Sequence, residues 1–284
     1  MTTALPSLGA QKERRVRPLS LIAAFLRRDW KVARSYRMAF ALQGFQSLWG
    51  LALVYFLSRF LGPALAKSDP ALRDGYFAYA AIGVTLLSVL SVALIIFAGK
   101  LRQDQQTGTF ETVLASPTPP WLIVLASSCY DLIYATVAGA LTLIFAIVVF
   151  GLRLHGSPAE YGLSILILVS SLGVFAAFGV AYAAFVVVFK RGDAIMSLLT
   201  AVMGLAGGVF YPVTVLPKVV QPLAQVFPLT QAATTLRDTL LYHQLPLAKV
   251  AELCGSAIIL LPPALWLFDR SVRHARAVGT LGQY

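Results

Sequence analysis

Charged residues leave six gaps in this chain that a soluble domain of its size does not leave. The uncharged runs are Met38–Ser58 (21 residues), Gly75–Gly99 (25), Leu132–Leu152 (21), Tyr161–Phe189 (29), Ala194–Pro217 (24) and Leu253–Phe268 (16). A helix that crosses a bilayer needs ~20 mostly apolar residues. Five runs meet that length directly, and the sixth does once its flanks are counted. Only 12% of the 284 residues are charged while 58% are apolar, against about 25% charged in soluble domains. The chain therefore reads as an all-α integral membrane protein with six transmembrane helices, near 38–60, 76–99, 121–151, 161–189, 194–214 and 250–268.

The net charge of +11 would point to nucleic acid in a soluble protein, but here it reads as topology. With six spans, Lys and Arg fall alternately on two sides. Sixteen of the 23 lie on the side that holds both termini, nine of them before Met38, and seven lie on the other side. The positive-inside rule then places both termini in the cytoplasm. The third span, 31 residues or ~46 Å of helix, exceeds the ~30 Å hydrocarbon core. It is expected to project into the cytoplasm at its Trp121 end. Asp131 then sits near the inner interface; the alternative is a buried intramembrane acid, which is costly and functional by default.

Three segments outside the spans carry pattern. In residues 1–37, Leu19, Ile22, Leu26, Trp30 and Ala33 share one helical face, with Arg27, Arg28, Lys31 and Arg34 opposite. A basic face opposite Leu and Trp is the pattern of a helix lying in the membrane surface. After the second span, Gly108 can cap a short helix with Glu111 in its first turn. Phe110, Val113 and Leu114 share its face, Pro117 stops it, and Pro119-Pro120 open the next helix. Beyond the fifth span, Pro212, Pro217, Pro222 and Pro228 recur too densely for one straight helix, yet the stretch is almost uncharged. Short re-entrant helices over about 212–241, with protein burying their irregular backbone, satisfy both facts. The organisation is thus a cytoplasmic N-terminus (1–37), a transmembrane domain (38–270) and a cytoplasmic tail (271–284).

Few chemistries find their residues. Cys129 and Cys254 lie in apolar segments and read as buried thiols. His155, His243 and His274 have no partner at metal-ligand spacing, and no clustered acids mark a lipid or isoprenoid transferase. No Gly-x-x-x-x-Gly-Lys-Ser/Thr phosphate loop occurs, so any ATP is hydrolysed elsewhere. Tyr76, Tyr79, Tyr130, Tyr134, Tyr182 and Trp49 read as belt and packing residues. Gly44, Gly83, Gly173 and Gly179 read as close helix contacts, and Pro262-Pro263 as a kink in the sixth span.

Two of these segments resemble a known family. The run Thr107-Gly108-Thr109-Phe110-Glu111, continued by Leu114-Ala115-Ser116-Pro117, is similar to the cytoplasmic motif of ABC-2 type transporter permeases. The run from Gly208 through Tyr211-Pro212, Leu216-Pro217, Phe227-Pro228 and Leu236-Arg237 is similar to that family's signature before its last span. The resemblance implies a permease subunit of an ATP-driven exporter in the bacterial inner membrane. It implies a second permease, the same chain or a sister chain, and two copies of an ABC ATP-binding subunit that hold ATP and Mg. Gly108, Thr109, Phe110, Glu111, Leu114 and Pro117 would form the coupling helix (about 107–116). Pro212, Pro217, Pro228 and Arg237 would belong to the outer re-entrant gate. No catalytic, cofactor-binding or metal residue is expected in this chain. The exported solute is expected to be hydrophobic or amphipathic: a drug, natural product or lipid. The alternatives are a polysaccharide or glycolipid exporter, an ion-coupled secondary transporter using Asp131, and a membrane lipid transferase.

Overall fold

Helices start and stop where local backbone chemistry permits. In the computed structural model, which describes residues 18–35, 37–65, 72, 75–106, 118–154, 156–189 and 193–278, all regular structure is helical. The elements are α1 (Pro18–Ser35), α2 (Arg37–Leu65), α3 (Tyr76–Gln106), α4 (Pro120–Phe150), α5 (Pro158–Phe189), α6 (Asp193–Ala206), a 3-10 turn (Val213–Val215), α7 (Gln221–Val226), α8 (Pro228–Leu240) and α9 (Leu247–Val278). Pro120 opens α4 after an extended Pro119, a position where the missing N–H costs no helical bond. Gly151 closes α4 in the left-handed region, its N–H capping the Ala146 carbonyl. A reciprocal capping box starts α5: the Ser157 N–H donates to Glu160 Oε2 (2.7 Å) and the Glu160 N–H to Ser157 Oγ (3.3 Å).

Four of the expected spans are helices long and apolar enough to cross a membrane: α3, α4, α5 and α9. The first span corresponds to α2, which has 29 residues and a described apolar stretch at Leu48–Leu61. The fifth departs from expectation. Its apolar run continues to Pro217, but α6 ends at Ala206 after 14 residues, ~21 Å of helix against a core of ~30 Å. The cause is the turn at Gly208, whose φ of 63° an L side chain rarely adopts, followed by extended backbone at Pro212. The sixth span runs past its expected end at 268. The helix passes unbroken through Pro262-Pro263 and runs on to Val278, helped by the Asp269–Arg273 pair one turn apart (2.7 Å).

The centre of the bundle is α3 and α5. In their most apolar windows 67% and 56% of residues are buried, against 22% for α4 and 17% for α9. Gly179 of α5 lies against the α3 backbone at Ala93 and Leu94, where a Cβ would meet both carbonyls, so the two helices approach as small residues allow. One core cluster gathers Leu51, Ile82, Leu86, Ile167, Leu229 and Leu253; a second gathers Phe97, Val180, Val186, Phe268 and Val272. α4 turns Ile133, Val137, Leu141, Ile144 and Val148 outward at 52% exposure or more. A contiguous apolar stripe of that kind is untenable in water and is the ordinary outer surface of a helix in lipid.

α1 is helical and packs against α4. Asp29 and Ala33 are buried, Ile22 and Leu26 half-buried, and Trp30 and Leu19 stand out at 63% and 82% exposure. Leu19 and Trp30 thus stay on the outer side of the helix, away from the bundle.

Candidate functional site

Two polar constellations interrupt the apolar bundle, one at each end. The first centres on Arg237 in α8, which is only 2% exposed. α8 begins on Pro228 after an extended Phe227 and packs against α5 and α3, which turns Arg237 inward. Its Nε donates to the Tyr79 carbonyl (3.1 Å), Nη1 to the Gly208 carbonyl (2.8 Å) and Nη2 to the Val209 carbonyl (3.1 Å). The guanidinium carbon stacks 3.5 Å from the centroid of the Tyr79 ring, and the Tyr79 hydroxyl donates to the same Gly208 carbonyl (3.0 Å). One side chain therefore binds α8 to α3 and to the turn that ends α6. Gly83, one helical turn beyond Tyr79, leaves the space the guanidinium occupies: a Cβ there would collide with Arg237 Nη2 and the Val209 carbonyl.

An unpaired charge in so buried a place is expensive. Carbonyl dipoles and the ring face offset that cost, and Arg237 makes no ion pair among the described residues. Burial lowers the guanidinium to about 10, still far above neutral pH, so it keeps its charge. Beside it lies a cavity of 270 Å³ lined by Tyr79, Pro212, Thr214, Thr234, Arg237 and Asp238, among others. Pro212 lines this cavity and precedes the 3-10 turn; Pro217 accepts from the Val220 N–H (2.8 Å) through its carbonyl; Pro228 opens α8. Short helices broken by proline over 212–241 match the expected pattern for this segment. His243, in the left-handed region just beyond α8, places Nδ1 3.4 Å from Glu160 of the α5 capping box.

The second constellation lies at the opposite end, beside α1. Lys100 of α3 sits 2.9 Å from Asp131 of α4 and 3.9 Å from Asp29 of α1; Asp29 also takes Arg28 at 2.8 Å. The Asp29 side chain is 9% exposed and that of Asp131 22%. Asp131 is therefore an ion-paired group joining helices, the one sequence-singled acid with a located partner. Asp29 and Lys100 carried no motif and were not singled out from sequence. The available signal was an acid set in an otherwise basic helix. The motif residues Gly108, Thr109, Phe110, Glu111, Leu114 and Pro117 lie outside the described residues.

Across 20–241 the chain matches the model of the ABC-2 type transporter family. The chain belongs to that family. It is accordingly a membrane component of an ABC transporter, a permease, in a family of transport components that are generally not catalytic themselves. ABC-2 permeases associate with an ABC ATP-binding subunit. The match begins in α1 and ends just past α8, so both constellations fall within the ABC-2 region. Comparison with curated proteins finds no match.

Proposed function

We propose that this ABC-2 permease is the membrane half of an ATP-driven exporter in a bacterial inner membrane, with both termini in the cytoplasm. Two permeases, two copies of this chain or this chain with a sister, enclose the path. Two ATP-binding subunits hold ATP and Mg and deliver force to the loop 107–117, with Glu111 in its coupling helix. The proline-broken segment around Arg237 caps the outer end, and a hydrophobic or amphipathic solute leaves there.

The observation that carries this reading is the placement of α3. Its last residue, Gln106, adjoins the loop that bears the coupling motif, and its first turn holds Tyr79, which receives Arg237. A single rod of ~40 Å thus connects the force-receiving loop to the cap. Lys100, near the loop, anchors that rod to α1 and α4. The ion-coupled alternative needed a free acid in Asp131, and Asp131 is occupied by Lys100.

The test is co-purification of the full chain with a co-expressed ABC ATP-binding subunit, followed by ATPase and vesicle-export measurements on wild type and Glu111→Ala. The complex is expected to survive the substitution while solute-stimulated ATPase falls about tenfold, the loss of about 1.4 kcal/mol of coupling. An ATPase that never associates with the chain, or a variant complex that exports at the wild-type rate, overturns the reading.

A further inference from the structure

The cap around Arg237 also has an unbalanced charge. Asp238, the only acid among the described residues that line the 270 Å³ cavity, is held by Lys249 at 2.8 Å. The remaining lining is neutral: Tyr79, Tyr242, Gln225, three threonines, Pro212 and Val213. Asp238 is near enough to favour the Arg237 charge, but its direct ion pair is with Lys249, and Arg237 makes none among the described residues. Its carbonyl contacts are dipoles, and they use three of the five N–H groups a guanidinium carries. Among the described residues, two N–H groups are left without a partner on a buried cation that lines a cavity with both apolar and polar walls. That is the arrangement in which a planar oxyanion is recognised.

Size narrows the ligand. Drug-sized molecules occupy pockets of about 300–1,000 Å³, so a cavity of 270 Å³ holds a head group and a short stem only. Exposed apolar residues flank the region, with Val215 at 67% and Val219 at 84% exposure, where a longer hydrocarbon tail can lie in lipid.

We propose that the cavity beside Arg237 is a binding site for the singly charged oxyanion head, a carboxylate in the first instance, of an amphipathic molecule whose apolar part stays outside the cavity. The head docks on the two remaining N–H groups. As a station for an exported solute the site rests on the exporter reading above, and it narrows the solute class to acidic amphipaths. As a binding site it stands on this chain alone.

The experiment is equilibrium dialysis of labelled hexanoate against the purified full chain in a neutral detergent, with hexanamide as the uncharged isostere and empty micelles as the blank. Saturable hexanoate binding is expected, about tenfold tighter than hexanamide. Asp238→Asn removes the one negative charge on the wall and is expected to tighten hexanoate roughly tenfold, as a unit charge some 10 Å away does at an effective dielectric near 20. A gain of affinity cannot come from misfolding, whereas loss in Arg237→Met could, because that residue also holds the cap. Equal binding of hexanoate and hexanamide, or an Asp238→Asn variant no tighter than wild type, overturns the proposal. The measurement uses neither ATP nor the partner. Its failure therefore leaves the exporter reading intact, and failure of co-purification leaves this result intact.

Discussion

Replacing Arg237 by methionine removes the charge and the donors while keeping an unbranched side chain of similar reach. Three buried carbonyls, those of Tyr79, Gly208 and Val209, each lose an Arg237 N–H at once, together with the stacking on Tyr79; Gly208 keeps the Tyr79 hydroxyl and Tyr79 its place in the α3 ladder, which leaves Val209 as the orphan. An orphaned buried acceptor costs about 1–3 kcal/mol, and a desolvated cation–π contact contributes about 2 kcal/mol. Relief of the buried charge works in the opposite direction, and water in the adjoining cavity can reach one of the carbonyls. The balance is a local destabilisation of about 3 kcal/mol, or roughly 150-fold in the opening equilibrium. Hydrogen-exchange mass spectrometry on the purified chain reads this directly at 207–216, where the N–H groups of Gly207, Val215 and Leu216 are hydrogen-bonded. In Arg237→Met these amides are expected to exchange roughly 100-fold faster, while peptides from the α5 core around Val180 change little. Arg237→Lys keeps the charge but not the fork and is expected to fall between the two. Exchange at 207–216 within about threefold of wild type in Arg237→Met would refute the clamp, because the orphaned Val209 carbonyl and the lost ring contact at 2% exposure cannot be so cheap.

The same geometry makes further outcomes measurable. Gly83→Ala places a methyl against Arg237 Nη2 and the Val209 carbonyl, so thermal unfolding in detergent is expected to reveal a loss of about 1–3 kcal/mol. Lys100→Met strands Asp131 while Asp29 keeps Arg28 and is expected to cost about 1–3 kcal/mol, with the double change that adds Asp131→Asn recovering most of it; a double variant no better than the single one argues against the pair. Glu160→Gln weakens the α5 capping box and its contact with His243, for an expected loss of about 1 kcal/mol in the same assay.

What could be read from the chain and what could not divides along physical lines. α3, α4, α5 and α9 were legible because an uncharged run of sufficient length has few alternatives to a spanning helix. The same criterion failed at α6, since charge spacing is blind to a turn: Gly207-Gly208 and Pro212 end the helix inside an uninterrupted apolar run. Periodicity identified α1 as a helix with a basic face and an apolar face but gave no sign that Asp29 is buried. Hydropathy ranks a carboxylate as outward-facing, and it cannot know that Lys100, on another helix, waits at 3.9 Å. Arg237 stood out as a charge in a greasy segment. Its partners did not, because backbone carbonyls belong to every residue and only folding selects which three converge. Gly83 looked like any helix-contact glycine until the guanidinium filled the space beside it.

The convergence of those carbonyls on one side chain has a kinetic consequence. Bonds arranged in series along a seam can be released one after another, each with its own small barrier. Bonds that share a single donor group cannot: a displacement that frees the Gly208 carbonyl also moves the nitrogen that serves Val209 and the one that serves Tyr79. The end of the bundle held by Arg237 is therefore expected to open in one cooperative step rather than bond by bond. In the proposed exporter, a cap held in this way is expected to release in single events rather than by gradual loosening.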